Sequence, residues 1–347
     1  MRVPERSQAA DELSVGHRVP PREILVVKPS SLGDIVHTLP AVARIKRTYP
    51  TARLRWLINP EWAPLLADNP DVDDVVLFPR QEFKGIRGGV RFATWARVLR
   101  RNVRADLILD FQGLLRSALI SRLCRASGGK IIGLSDAREG SRFFYDQVTD
   151  VSGKPHAVDR YLAMVDSLDA SSGTELEWPL PLGSAPSGFS ACEPFVLLHP
   201  FSRGAGKSLS LSDIADFCAA LAPQRIVVAG RSDAELPTFS NGTNLLNQTT
   251  LLELIWLIRH ALFVVSVDSG PMHIAAALTP RLLSIHTWSD PRKVGPYRPE
   301  AWVWQHGTVF QQKSPEKHFP ATDLRSVGAF VSNLLRGAEP PITSQAH

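Results

Sequence analysis

Residues 24–42 read ILVVKPSSLGDIVHTLPAV. The four apolar residues 24–27 form a run typical of a buried parallel strand, and residues 34–48 carry apolar side chains at helical spacing. The polar loop between them, residues 28–33, would connect the end of the strand to the start of the helix. A strand, a polar loop and a helix in this order predict the first unit of an α/β fold.

The same alternation of short apolar runs and amphipathic segments continues along the chain and stops at a proline-rich, nearly uncharged stretch at residues 179–194. It restarts at Phe195 and ends with a helix predicted over residues 323–335. Alternating strands and helices predict parallel sheets covered by helices on both faces. We therefore expect two Rossmann-like parallel-sheet domains facing across a cleft. The predicted segments are a disordered N-terminal extension (1–22), a first domain (23–180), a linker (181–194) and a second domain (195–347) whose last helix is free to pack back on the first.

Composition excludes several classes of protein. Of the 347 residues, 44% are hydrophobic and 21% are charged, which is ordinary for a globular chain and excludes a mostly disordered or fibrous one. The longest apolar runs have the length of strands, so no membrane-spanning segment is predicted. The three cysteines lie far apart without a CxxC pair, which argues against a disulfide framework or a zinc site and fits a reducing compartment.

The positive charge is concentrated in one segment. The chain carries a net charge of +5, but residues 84–104 contain seven Lys and Arg and no Asp or Glu. This basic segment is either a solvated helix face or a surface that contacts phosphates or a membrane. No nucleic-acid-binding motif accompanies it, so a nucleic-acid partner is not expected.

The loop after the first predicted strand carries a candidate catalytic group. Ser30, Ser31 and Asp34 could each cap the following helix, but one cap does not require all three. Gly33 permits a close backbone approach. A carboxylate at the mouth of a cleft can also act as a general base, which makes Asp34 the candidate.

A second loop, residues 266–273, reads SVDSGPMH. Pro271 suits a first helical turn that Asp268 or Ser269 caps, and the free N–H groups of such a turn attract a diphosphate. Asp268 would repel phosphate, so its expected roles are to cap, to hold the loop or to contact hydroxyls. His273 is either a packing residue or a ligand contact.

Two further loops follow predicted strands of the second domain. Residues 199–207 read HPFSRGAGK, a donor-rich cationic loop that suits either a solvated turn or a diphosphate clamp. It is not a P-loop, because Phe201 stands where that motif needs a glycine. The carboxylates of Asp233 and Glu235 in the next loop either accept hydrogen bonds from a ribose or cap a helix.

Together these loops predict a nucleotide diphosphate held by the second domain and a carboxylate base that faces it from the first. This is the logic of a GT-B-like glycosyltransferase, in which cationic and N–H donors stabilise the departing diphosphate. No DxD-type carboxylate pair occupies a convincing loop, so no metal ion is expected.

From residue 24 to about residue 337 the chain resembles the glycosyltransferase family 9 heptosyltransferases, most of all their heptosyltransferase I branch. The likeness rests on several segments that occur in the same order as in that family, namely 24–42, DFQGLLRSAL (110–119), DAREGSRFFY (136–145), HAVDRY (156–161), VVSVDSGPMHIAAAL (264–278) and SDP…GPY (289–297). The resemblance implies a GT-B fold and an inverting, metal-independent transfer of heptose from ADP-heptose. It further implies a phosphorylated lipid A/Kdo acceptor, a cytoplasmic location and peripheral contact with the inner membrane.

The resemblance also implies roles for individual residues. Asp34 falls on the catalytic base, and Ser31 and Gly33 lie beside it on the acceptor side, where Arg116 and Arg138 match basic positions. The donor side comprises Ser202, Lys207, Asp233, Glu235, Asp268, Ser269, Gly270 and His273. Two departures flank the nucleotide site: no tryptophan follows Lys207, and the usual G-P-T-[DS]-P stretch is replaced by residues 286–291, HTWSDP.

Two other classes of function remain open at this stage. One is a GT-B enzyme that uses another nucleotide sugar, or a sugar-nucleotide epimerase of similar fold. The other is a catalytically silent module that binds nucleotides or polyanions, which the basic segment favours and Asp34 disfavours.

Overall fold

The computed structural model describes residues 20–168, 175–190, 193–204 and 206–337. Residues 1–19 of the predicted N-terminal extension therefore lie outside the described residues. Arg22 is already part of the fold, since its N–H donates to Asp106 and its carbonyl accepts from Arg53. The predicted boundary between residues 22 and 23 is thus slightly late.

The first half of the chain forms a parallel six-stranded sheet with the order β3-β2-β1-β4-β5-β6. Its strands are β1 (Glu23–Val27), β2 (Arg53–Ile58), β3 (Asp74–Leu77), β4 (Ala105–Asp110), β5 (Arg125–Leu134) and β6 (Gln147–Thr149). Its helices are α1 (Leu32–Thr48), α2 (Gly88–Asn102), α3 (Leu115–Cys124) and α4 (Ala157–Asp166). The apolar run in β1 is buried because helices cover both faces of this central strand.

The second half forms an eight-stranded sheet with the order β14-β13-β12-β11-β10-β7-β8-β9. Its strands are β7 (Phe195–His199), β8 (Arg225–Gly230), β9 (Gly242–Leu246), β10 (Phe263–Val267), β11 (Leu282–His286), β12 (Trp302–Gln305), β13 (Thr308–Gln311) and β14 (Ser314–Pro320). Its helices are α5 (Leu211–Leu221), α6 (Leu251–His260), α7 (Gly270–Leu278), α8 (Pro291–Val294) and α9 (Leu324–Leu335). The two sheets lie on either side of the predicted linker, and the α/β fold class is confirmed.

The expectation of purely parallel sheets is wrong at one edge. β13 and β14 pair antiparallel with their neighbours, because β12 and β13 form a hairpin. His306 and Gly307 connect them with φ angles of 49° and 78°. Positive φ at both central residues is the condition for a type I′ turn, whose twist matches that of the flanking strands.

The last helix stays with the second sheet. α9 packs on α5, where the absent side chain of Gly328 allows close contact with Phe217 and Ala220. Arg325 Nη2 also lies 2.7 Å from Asp216 Oδ1. The helix therefore packs on the second half, whereas the sequence had left open that it packs back on the first.

The two halves share part of their core. One cluster of buried apolar side chains runs from β1, α1 and α4 of the first half into α6 and α7 of the second, and includes Val42, Val158, Met272 and Ala275. Removal of this apolar surface from water holds the halves together along α1 and α7. The carboxyl ends of the central strands therefore meet at a fixed place.

Candidate functional site

The first turns of α1 and α7 meet where the two halves join. A Cβ atom on Gly33 would lie 2.5 Å from Cδ2 of His273, and one on Gly270 would lie 2.5 Å from Cδ2 of Leu32. Neither position has room for a side chain, so both glycines are needed for the helices to approach this closely. The positive ends of two helix dipoles therefore point toward one region.

Asp34 lies in the first turn of α1, and its side chain is 38% exposed. Its Oδ2 accepts hydrogen bonds from the backbone N–H of Ser31 (3.1 Å) and from the Ser31 hydroxyl (2.7 Å). Tyr161 of α4 donates to Oδ1 over 3.3 Å, and Nζ of Lys28 is 3.8 Å from the same oxygen. Asp34 thus takes part in the cap of α1, which was one of its two expected roles. Its carboxylate is also accessible, as the other role, that of a general base, requires.

These neighbours keep Asp34 ionised. Burial raises the pKa of Asp34, but the Lys28 ammonium and the two Ser31 hydrogen bonds act against it, and the pKa ends below its usual value. Lys28 is itself buried and donates to the carbonyl of Phe111 over 3.0 Å. Burial lowers the pKa of Lys28 although Asp34 and the fully buried Asp110 favour its charged form.

Two predicted donor loops of the second half are joined by a salt bridge. Lys207 Nζ lies 2.8 Å from Asp268 Oδ2, and the Ser202 hydroxyl donates to the Asp268 carbonyl over 2.9 Å. Burial raises the pKa of Asp268, but hydrogen bonds from Lys207 and Ser289 outweigh this and lower it. Among the expected roles of Asp268, holding the loop is therefore the one that these contacts show.

The start of α7 is not capped by a side chain. Ser269 occupies the N-cap position without a side-chain cap hydrogen bond, and its hydroxyl instead lies 3.3 Å from Ser266 Oγ and 3.5 Å from His199 Nδ1. The expectation that Asp268 or Ser269 caps this helix is wrong. Pro271 has no N–H group and that of Met272 donates to the carbonyl of Ser269 over 3.1 Å, so among the described residues the N–H group of Gly270 is the one of this first turn left without an acceptor.

His273 is a buried interface residue. Its Nδ1 lies 2.9 Å from Nε2 of His37 in α1, and the ring of His156 lies 4.9 Å from that of His37. Burial lowers the pKa of His273 to about 4, and burial is also the main cause of the lowered pKa of His37 and of His156. His273 is therefore packed between the two halves, and its contact with a donor stays a prediction.

The other predicted residues lie farther from these contacts. Asp233 and Glu235 are exposed, and no hydrogen bond or salt bridge within the described residues links them to Lys207 or Asp268. The fully described stretch 231–241 contains no helix, so the alternative that these carboxylates cap a helix is wrong. On the acceptor side, the backbone N–H of Arg138 donates to the carbonyl of Gly113 over 2.8 Å, which places Arg138 beside the loop that leads to Arg116.

Trp288 lies against the donor loops, in the stretch that departs from the family pattern. Its side chain is 63% exposed, and the ring centroid is 5.1 Å from Lys207 Nζ. The neighbouring Thr287 hydroxyl donates to the carbonyl of Gly206 over 2.8 Å. An exposed indole therefore stands beside the lysine, although no tryptophan follows Lys207 in sequence.

Sequence analysis did not select Lys28, Tyr161, His37 or Trp288. All four lie in segments that carry the resemblance or its departures, so a signal was present. What one sequence could not show is which side chains face each other, since Tyr161 and Asp34 are 127 positions apart. Within the described residues, no group of His, Cys, Asp and Glu side chains has the arrangement of a metal site, and no helix there is long and apolar enough to cross a membrane.

Comparisons with known proteins identify the relatives of this chain. A family model described as glycosyltransferase family 9 (heptosyltransferase) matches residues 93–320, about two thirds of the chain. The lipopolysaccharide core heptosyltransferase OpsX of Haemophilus influenzae is 23% identical over 297 residues, covering 80% of this chain and 82% of that protein. Lipopolysaccharide heptosyltransferase 1 of Escherichia coli K12 is 26% identical over 293 residues, covering 79% and 90%. The solved structure of the E. coli heptosyltransferase WaaC with ADP superposes with a TM-score of 0.72 at 22% identity, covering 91% of this chain and 99% of that one.

Proposed function

The chain belongs to glycosyltransferase family 9, the heptosyltransferases, and from this membership we propose that it transfers a heptose from ADP-heptose to the Kdo region of the lipopolysaccharide inner core. The proposed transfer inverts the anomeric centre and uses no metal ion. The observation that carries the proposal is the ionised, accessible carboxylate of Asp34, held where α1 of the first half meets α7 of the second.

The donor diphosphate is proposed to lie on the second half. Lys207 has three N–H donors, and its salt bridge to Asp268 leaves donors for phosphate oxygens. The start of α7 adds the N–H group of Gly270 and the positive end of a helix dipole. Asp268 then positions the lysine, while Ser202, Ser269 and Gly270 line the same place.

The proposed reaction is a single displacement. Asp34 accepts the proton of an acceptor hydroxyl, whose oxygen forms a bond to the anomeric carbon of the heptose. The bond between that carbon and the diphosphate oxygen breaks, and its electron pair leaves with ADP. Lys207 and the start of α7 stabilise the negative charge that develops on the diphosphate, which is the role that a metal ion has in other transferases.

The acceptor side is proposed to consist of Ser31, Gly33, Arg116 and Arg138, which lie in the first half beside or beyond Asp34. Arginine side chains suit the phosphate and carboxylate groups of a phosphorylated lipid A/Kdo acceptor. Asp233 and Glu235 are proposed to contact the ribose when the donor is bound. The acceptor implies a cytoplasmic enzyme with peripheral contact to the inner membrane.

The proposal is tested by incubating the purified protein with ADP-heptose and Kdo-lipid A, and by following ADP release and the mass of the product. We expect release that depends on both substrates and persists in excess EDTA, and NMR of the product to show inverted anomeric configuration. Metal independence would be overturned if activity is lost in EDTA and restored by added divalent ions.

A panel of UDP-, GDP- and ADP-sugars tests the identity of the donor. Turnover with another nucleotide sugar and none with ADP-heptose would make that sugar the donor. Donor binding without turnover on any acceptor would favour a silent binding module.

A further inference from the structure

Helix α2 has little contact with the rest of the protein. Only Gly88 and Leu99 of its fifteen residues are buried. One side of the helix packs, since Trp95 contacts Phe78 and Phe83, but other apolar side chains face outward: Val90 is 72% exposed and Val98 51%, and Ile86, just before the helix, is completely exposed. A helix in a closed fold normally buries its apolar side chains, so this one leaves a face without a partner.

The exposed apolar surface continues onto the neighbouring helix α3. Leu115, Arg116, Leu119 and Arg122 are exposed and share one face of α3, since they are separated by one, three and three positions. Arg116 connects the two helices, because its guanidinium carbon lies 5.8 Å from the ring centroid of Phe78, which lies 5.2 Å from that of Trp95 in α2.

A short turn at Ser141–Phe144 extends the same surface. The Ser141 hydroxyl lies 3.2 Å from the carbonyl of Gly113, just before α3, and Leu115 N–H donates to Glu139 over 3.2 Å. Phe143 in this turn is 92% exposed. We call α2 with residues 84–87, the outward face of α3 and this turn the docking surface.

Cations are interleaved with these apolar side chains. The basic segment 84–104 contributes seven Lys and Arg, and the outward face of α3 adds Arg116 and Arg122. Within the described residues, none of these nine side chains forms a salt bridge. Salt bridges within the described residues therefore leave this charge without a partner, although the nearby Glu139 carboxylate interacts with the Arg116 guanidinium.

We propose that the docking surface binds an anionic lipid bilayer, with Ile86, Val90 and Phe143 entering the headgroup region and the arginines contacting lipid phosphates. A bilayer interface accepts both kinds of side chain, since apolar groups reach the acyl boundary while cations meet the negative surface potential. A nucleic acid would match the cations but would leave the exposed aliphatic side chains in water. The proposal rests on the proposed function only for which membrane is bound. It adds which surface of the protein contacts that membrane.

The experiment is cosedimentation of the full chain with vesicles of phosphatidylcholine mixed with phosphatidylglycerol, compared with phosphatidylcholine alone. We expect binding to the anionic vesicles that weakens with salt. The triple variant Arg97→Gln/Arg100→Gln/Arg101→Gln should bind about a hundredfold more weakly, since each basic side chain near an anionic surface strengthens binding about fivefold. The variant Ile86→Ser/Val90→Ser/Phe143→Ser should also lose binding, whereas Leu182→Ser/Leu211→Ser, at exposed apolar positions elsewhere, should keep it.

The proposal is overturned if the wild-type chain does not bind anionic vesicles, or if all variants bind them as tightly as the wild type does. It is also overturned if the chain binds duplex DNA more tightly than it binds anionic vesicles. A water-soluble Kdo acceptor without acyl chains separates this result from catalysis. Both docking variants should use that acceptor as well as the wild type does. If the wild-type chain transfers nothing to any acceptor but binds vesicles, the proposed function fails and the docking surface stands.

Discussion

Nε2 of His37 lies 2.9 Å from Nδ1 of His273, and this contact joins α1 of the first half to α7 of the second. The two helices carry the groups with opposite tasks: Asp34 stands one turn before His37, and Ser269 and Gly270 precede His273. The histidine pair therefore lies between the proposed base and the proposed phosphate site, in the interface that holds them together. Substitutions in the first half should affect proton transfer, and substitutions in the second half should affect ADP binding.

Replacing Asp34 with Asn should abolish most turnover while leaving donor binding intact. The amide keeps the size of the side chain but cannot accept the proton, and loss of a general base costs about 10²–10⁴-fold in rate. Steady-state ADP release and calorimetric titration with ADP measure the two effects. Asp166→Asn is the matched control, because Asp166 pairs with Arg44 at the surface of the same half. Near-normal turnover of Asp34→Asn would remove Asp34 from its proposed role.

Replacing Lys28 with Met should shift the acid limb of the pH profile of kcat/KM to higher pH. The Lys28 ammonium lowers the pKa of Asp34, so its removal lets burial raise that pKa, and the carboxylate becomes protonated at a higher pH. The shift should appear in kcat/KM while the affinity for ADP stays unchanged. An acid limb that does not move would show that Asp34 does not control it.

The helix starts after these loops could be predicted because their signal is local. A strand followed by Ser31, Gly33 and Asp34, or by Asp268, Ser269 and Gly270, specifies a helix start whatever lies opposite. The hairpin of β12 and β13 also had a local signal, the dipeptide His306-Gly307 between two apolar runs, which an alternation of strands and helices does not include. Tertiary contacts had no such signal: the choice of Tyr161 and Lys28 as partners of Asp34 depends on how α4 and β1 pack.

Replacing Lys207 with Met should weaken ADP binding about 10- to 100-fold, because a hydrogen bond to a charged group contributes about 1.5–3 kcal/mol. The loss should be larger for ADP than for adenosine, which lacks the diphosphate. Lys293→Met, at an exposed lysine of α8, controls for general loss of positive charge. Equal losses for ADP and adenosine would place Lys207 elsewhere than at the diphosphate.

Replacing Trp288 with Ala should weaken ADP binding about 2- to 5-fold through the loss of the cation–π contact that orients Lys207, which contributes about 0.5–1 kcal/mol at an exposed site. Trp288→Phe should retain most of the affinity, since a phenyl ring offers a similar face. In the Lys207→Met background, Trp288→Ala should have little further effect. Additive losses in this double-mutant cycle would show that the indole acts independently of the lysine.

The buried histidines should make stability fall as the solution becomes acidic. Burial lowers the pKa of His273 to about 4, so below the unfolded value of 6.5 the unfolded chain binds a proton that the folded chain does not. Neighbouring Asp268 and Asp34 favour the charged form, while His156 and His286 oppose it. The contribution of neutral His273 to the free energy of unfolding is complete above pH 6.5 and is lost toward pH 4. The loss between pH 7 and pH 5 is about 2 kcal/mol at 1.36 kcal/mol per pH unit.

His273→Gln should reduce this pH dependence, measured as the difference in urea-unfolding free energy between pH 7 and pH 5. Carboxylates stay ionised in this range. An unchanged difference in the variant would show that His273 does not bind the proton taken up on unfolding.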